Sequence, residues 1–345
     1  MKIGTREIGA GQPVFIIAEL SANHNGSLET AIETIRAAKR AGADAIKLQT
    51  YTADTITLKC EKDDFKIKGT LWDGRYLHDL YQEAYTPWEW HQTLFAVAKE
   101  EGLLCFSSPF DFSAVDFLEQ IDCPAYKIAS FEITDIPLIE YVASKGKPVI
   151  ISTGIATYDD IQLAVDTCRN AGNDHIALLK CTSSYPAPIH EANMVMVKRL
   201  ATDFNVVTGL SDHTMGSTVP LVSVCFGAKI IEKHFILDRS IGGPDAEFSM
   251  NEGEFTEMVK ALREAEAAIG IESYDLTEKQ QAGKVFSRSL YISKDIKSGE
   301  ILTSEHVKSV RPGMGLHPKH YKEILGKMVN RDLTIGDRID INDFR

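Results

Sequence analysis

The sequence predicts an α/β fold: a (β/α)8 TIM barrel followed by a small, mostly β C-terminal domain. Three observations carry that expectation. From residue 14 to about 270, eight short β-rich runs alternate with amphipathic helical segments. No GxGxxG follows the first run, so an open dinucleotide-binding sheet has little support. Beyond residue 283 the long helical segments stop, and Gly-punctuated β-like pieces take over.

The β runs are VFIIAEL (14–20), AIKLQT (45–50), LLCFSS (103–108), AYKIAS (125–130), PVIISTG (148–154), HIALLKCTS (175–183), VVTGLSDH (206–213) and KIIEKHF (229–235). Between and after them, segments such as LETAIETIRAAKRAG, WEWHQTLFAVAKEEG, IPLIEYVASKG and NEGEFTEMVKALREAEAAIG carry an apolar face at helical spacing and close on Gly. The polar stretch IESYDLTEKQQAG (271–283) reads as a linker. The expected domains are therefore a barrel over 1–272, a linker over 273–283 and a small domain over 284–345.

With 345 residues, 44% of them hydrophobic, the chain can bury one large core with length left for that second domain. A net charge of −12 argues against a nucleic-acid partner, because phosphate repulsion would dominate at long range. An anionic substrate must then be held by locally placed Lys and Arg. The six cysteines are scattered without CxxC or metal-ligand spacing, as in a reducing compartment. No run approaches a membrane span and the N-terminus lacks a cleavable-signal pattern, so the expected location is cytoplasmic.

In such a barrel the active site lies where the strands end. The polar residues there include Glu19, Lys47, Gln49, Ser108, Lys127, Ser130, Ser152, Ser183, Tyr185, His213, Glu232 and His234. A single Ser or Thr can be an ordinary loop start. Lysine is harder to dismiss, since alternation sets Lys47 with Gln49, and Glu232 with His234, on single strand faces. A charged group facing inward is costly unless paired or liganded. For Lys47, Lys127 and Glu19 an ionic ligand is the preferred reading over internal pairing.

His213 and His234 are separated by one helix and one strand, which puts them at the ends of neighbouring strands seven and eight. Adjacent strands lie ~4.8 Å apart, close enough for two imidazoles to share one cation. Two His ligands leave positions open for water and a substrate oxygen. Mn²⁺ is the first expectation, with Mg²⁺ or Co²⁺ as alternatives. The other reading makes one imidazole a general base and the other a structural residue.

In order along the chain, FIIAELSANHNGS, AIKLQT, FSSPF, AYKIAS, STG, CTSSYP, GLSDHT, IEKHF and GGPD resemble the motifs of the sialic acid (nonulosonic acid) synthase family. The tail around VKSVRPGMG resembles that family's C-terminal antifreeze-like (SAF) domain. Within the family, residues 65–91 and the tail of CTSSYP look most like the pseudaminic acid synthase branch. Ser183 stands where the N-acetylneuraminate branch typically has Asn.

The resemblance implies a metal-dependent condensation of phosphoenolpyruvate with 2,4-diacetamido-2,4,6-trideoxy-L-altrose, giving pseudaminate and phosphate. It implies PEP-binding roles for Lys47, Ser108, Lys127, Ser130, Ser152 and Ser183, and sugar-binding roles for Gln49, Tyr185, Asp245 and Arg311. Glu19 would move a proton near the sugar's reacting end, and Glu232 would support the metal or handle a water proton. Arg311 would reach the partner's site in a domain-swapped homodimer.

N-acetylneuraminate or legionaminate synthesis is the nearest alternative. More distant ones are a Schiff-base aldolase using Lys127 or Lys180, and a non-catalytic carbohydrate-binding protein.

Overall fold

Runs rich in Ile, Val and Leu, buried on both faces, close into a cylinder in the computed structural model, which describes residues 1–345. The strands are β1 (Phe15–Glu19), β2 (Ala45–Thr50), β3 (Leu104–Pro109), β4 (Tyr126–Ile128), β5 (Val149–Ser152), β6 (Ile176–Cys181), β7 (Val207–Asp212) and β8 (Ile230–His234). Each pairs in parallel with the next, and β8 pairs with β1 from Ile230↔Phe15 to His234↔Glu19. All eight expected strands are present.

Alternation along β1 shows how the core divides. Phe15 and Ile17 join a cluster with Phe106, Tyr126 and Val149. Ile16 and Ala18 instead pack with Ala31 and Ile35 of α1 (Leu28–Arg40), and with Phe255 and Met258 of the last barrel helix, Glu252–Ile269. Burying each Ile or Phe contributes ~1.5–3 kcal/mol.

The helices start where sequence caps stand. Ser27 accepts from Thr30 N ahead of α1, while Thr157 and Asn251 each form reciprocal capping boxes. After α1 the chain turns back at Gly42, whose φ of +88° suits glycine.

Two features escape the sequence reading. An antiparallel hairpin, Lys2–Ile3 with Arg6–Glu7, precedes the barrel, and its Ile3 and Ile8 enter the core cluster of Phe15 and Ile17. Two-residue strands are too short to give a period. Between β2 and the helix Trp88–Glu100, the excursion over residues 51–87 contains α2 (Ala53–Ile56) and α3 (Leu77–Ala84).

The chain divides into compact units Met1–Gly270 and Ile271–Arg345. The polar stretch expected as linker holds a short exposed helix, Glu278–Gly283. The C-terminal unit has its own apolar core, with Leu290, Ile292, Val307 and Val329. Its two-stranded antiparallel sheet joins β9 (Ser289–Ile292) to β10 (Val307–Val310).

Candidate active site

Strand register gathers ionisable side chains at the C-terminal mouth of the barrel. Glu19 ends β1 opposite both Lys47 of β2 and His234 of β8. Lys47 pairs with Glu19 and lies 3.7 Å from Glu232. Lys127 donates to Glu232 at 2.6 Å, and Ser211 donates to the same carboxylate at 2.9 Å. All four charged side chains are buried. The expected ligand-facing lysines thus have internal partners, because an unpaired ammonium at this depth would be too costly.

The two carboxyls differ. Burial pushes Glu19 up to about 7 against the pull of Lys47. Burial would raise Glu232 as well, but Lys127 and Lys47 outweigh it and hold that carboxylate at about 2. Glu232 is the permanent counter-ion, and Glu19 is the group able to keep a proton near neutral pH. With Glu19 protonated, two ammonium groups face one carboxylate, a net positive site suited to an anion.

His213 follows β7 directly and His234 ends β8, with ring centroids 5.3 Å apart at 59°. The His213 Nδ1–H donates to the Thr182 carbonyl at 3.0 Å, so Nε2 is the ring nitrogen left for another partner. His234 Nδ1 is buried without a hydrogen-bond partner, 3.8 Å from the Asp245 carboxylate. Burial keeps His234 well below the ordinary imidazole range, so its lone pair is free.

These donors fit a cation held by two side chains. No group of three or more His, Cys, Asp or Glu converges here to hold a metal ion, so His213 and His234 are the two side chains that could contribute to one. Behind the histidines, their chain neighbours Asp212 and Lys233 are cross-strand partners in a buried ion pair at 2.5 Å. Lys233 also donates to the Thr214 carbonyl at 2.6 Å, pinning the turn that carries His213. The Tyr185 ring lies tilted at 46° to His213 with centroids 4.4 Å apart, and Phe248 stands edge-on to His234 at 4.9 Å.

Hydroxyls converge on Gly154. Ser183 Oγ donates to Ser130 Oγ at 2.8 Å, and Ser130 Oγ accepts from Ile155 N at 3.2 Å. A Cβ at Gly154 would meet Ser183 Oγ at 2.1 Å and Ser130 Oγ at 2.6 Å, so only glycine leaves this cradle open. Ser152 Oγ is buried and unpartnered, and Lys47 Nζ donates to Ser108 Oγ at 3.4 Å.

Beside this centre lies a cavity of about 420 Å³. Gln49, Tyr185, His234 and Asp245 line it from the strand side, and Asp245 accepts from Ser21 Oγ at 2.5 Å. The 51–87 excursion lines much of the rest, together with Phe110, Ala129 and Phe131.

Sequence reasoning missed Glu132, which also lines the cavity. Its Oε2 is buried with no partner, and burial pushes the carboxyl up to about 7. The available signal was its position two residues past Ser130, in AYKIASFEIT. The predicted residues from Glu19 to Asp245 all belong to the barrel unit. Arg311 stands just past β10 in the C-terminal unit, exposed.

The sequence pattern of the NeuB family matches residues 34–274, and that of the SAF domain matches residues 287–345. The chain is 51% identical to a pseudaminic acid synthase of Campylobacter jejuni, over 100% of both chains. It is 47% identical to a pseudaminic acid synthase of Helicobacter pylori, over 96% of this chain and 98% of the relative. Among solved structures, the spore coat polysaccharide biosynthesis protein spsE of Bacillus subtilis superposes with a TM-score of 0.69. That match has 33% identity and covers 100% of this chain and 99% of the other. With its closed barrel and SAF tail, the chain belongs to the NeuB family.

Proposed function

We propose that the protein condenses phosphoenolpyruvate with 2,4-diacetamido-2,4,6-trideoxy-L-altrose to give pseudaminate and phosphate. The observation that carries the reaction is the buried centre of two lysines sharing Glu19 and Glu232, set beside two histidines and a serine cradle. Full-length identity to proteins named pseudaminic acid synthase supports the choice of sugar.

Lys47, Lys127, Ser108, Ser130, Ser152 and Ser183 are assigned to PEP, as fixed donors around a trianion. Gln49, Tyr185 and Asp245 are assigned to the open-chain sugar. A divalent cation, Mn²⁺ in this reading, would be held by His213 and His234 and would supply Lewis acidity at the aldehyde oxygen.

C3 of PEP forms a bond to the aldehyde carbon, and Glu19 gives its proton to the oxygen that becomes a hydroxyl. Water adds at C2, its proton returning to the Glu19 carboxylate, and the tetrahedral adduct expels phosphate by C–O cleavage as the C2 hydroxyl proton passes to the departing phosphate. Held at about 2, Glu232 is a poor base, and its part is to keep Lys127 and Lys47 in place. By resemblance, Arg311 serves the partner subunit's site in a homodimer; full activity of Arg311→Ala would refute that role.

No helix is long and apolar enough to cross a membrane. As for a Schiff-base route, Lys180 donates to the Cys181 carbonyl at 2.5 Å and does not line the cavity.

The test is phosphate release from PEP with the purified protein. It is run with the diacetamido altrose and with N-acetylmannosamine side by side, each with and without Mn²⁺. Release with the altrose and Mn²⁺ is expected. Preference for N-acetylmannosamine would overturn the substrate, and full activity after EDTA would overturn the metal.

A further inference from the structure

The excursion over residues 51–87 directs apolar side chains into the catalytic cavity. On α3, Leu77, Leu80, Tyr81 and Ala84 recur at i, i+3, i+4 and i+7, a single helical stripe, and all four line the cavity. Such a stripe normally faces a protein core; here it faces an open space of about 420 Å³. Ile56 of α2 and Ile67 add to the same wall.

Ile67 is held by a small hairpin, with Ile67 N donating to Arg75 O at 2.8 Å and Gly74 N donating to Ile67 O at 2.9 Å. Two polar groups of the excursion are engaged, whereas Glu132 Oε2, elsewhere in the cavity lining, has no partner. Trp72 Nε1 donates to the Pro244 carbonyl at 3.2 Å, tying the excursion to the loop after β8, and Thr70 Oγ1 accepts from Trp72 N at 3.2 Å. Ile56, Ile67, Leu77 and Leu80 themselves carry no donor or acceptor.

The strand side of the same cavity is polar, with Gln49, His234 and Asp245. A linear six-carbon sugar whose C1 reacts beside the histidines therefore points its far carbon away from that polar side. A hydroxymethyl terminus would lose its water there and find no partner among those four side chains, whereas a methyl terminus would lose nothing.

We propose that the wall of Ile56, Ile67, Leu77 and Leu80 is a specificity subsite for the methyl terminus of a 6-deoxy sugar, selecting against a 6-hydroxyl. This rests on the sugar-condensing reading above and names the feature of the sugar that the cavity selects.

The test is phosphate release from PEP by the full-length protein with three sugars. These are 2,4-diacetamido-2,4,6-trideoxy-L-altrose, its 6-hydroxy counterpart, and the 4-amino compound lacking one acetyl group. The 6-hydroxy counterpart is expected to be about 10²-fold poorer in kcat/KM, the range an apolar pocket reaches against an added hydroxyl. Ile67→Thr and Leu77→Gln each place a polar group on the wall at half-buried positions, and each should narrow that ratio to roughly tenfold or less.

Near-equal kcat/KM for the first two sugars would overturn the proposal. So would a ratio that both variants leave unmoved, or discrimination that follows the acetyl group and ignores the C6 oxygen. Failure of the underlying reading looks different: none of the three sugars would release phosphate while N-acetylmannosamine does, and both ideas would fall together.

Discussion

The two halves of the catalytic cavity are built on opposite terms. The strand half is ionic and buried, and is set by register: Glu19 opposite Lys47 and His234, with Lys127 against Glu232. The excursion half is apolar and partly exposed, and is set by a short helix and a hairpin hung between two barrel elements. Chemistry common to a family needs fixed charges, which strand ends supply. A preference among sugars needs only shape and polarity, which an excursion outside the strands can supply without disturbing the charges.

This contrast is best broken from the strand side. Lys127→Met removes one of the two ammonium groups facing Glu232 and leaves that carboxylate short of a partner. Breaking such a buried pair costs about 3–5 kcal/mol. The expected outcome is a fall of about 10³-fold in kcat/KM that is equal for every sugar, together with a lower Tm. A variant that changed sugar preference instead would dissolve the distinction.

Gly154→Ala should come next. The added methyl collides with the hydroxyls of Ser183 and Ser130, so the KM for PEP should rise about tenfold or more while the KM for sugar stays put. Steady-state kinetics with each substrate varied in turn separates the two.

The pH response of Glu19 is a smaller effect. Its folded value of about 7 lies above the ordinary glutamate value of 4.5, so the folded state binds more protons between those limits. Wild type should therefore lose stability relative to Glu19→Gln as pH rises from about 4.5 to 7, by several degrees in Tm. Burial lowers His24 and His91 to about 4, which gives the opposite slope between 4 and 6.5. Both proteins keep those histidines, so their contribution cancels in the difference. A Tm difference independent of pH would show that Glu19 is ionised throughout.

Smallest of all, Trp72→Phe loses one hydrogen bond to Pro244 O, worth about 0.5–1.5 kcal/mol. It should raise the sugar KM a few-fold and leave the KM for PEP unchanged.

Much of the strand half was legible in the sequence. Runs such as AIKLQT and IIEKHF announce a strand, a face and a polar terminus at once, so the two histidines could be placed side by side. The pairing of Lys47 with Glu19 was not legible, because it depends on which residues stand opposite one another across strands. Closure of the barrel adds the further neighbour, His234 beside Glu19, although 215 positions separate them in the chain (234 − 19). Glu132 was overlooked because it lies beyond its strand, in a short 3-10 turn where alternation no longer applies. The apolar wall was hidden for another reason. Ile56, Ile67 and Leu77 come from three separate pieces of local structure, and only folding brings them to one surface.

Because β8 seals against β1, the first and last barrel strands to be synthesised are neighbours at the reacting end. A chain still on the ribosome, with residues 230–234 not yet emerged, has its lysines and serines but lacks Glu232 and His234. Competence therefore arrives late and all at once, and a fragment ending before β8 should be inert however well its remaining strands assemble.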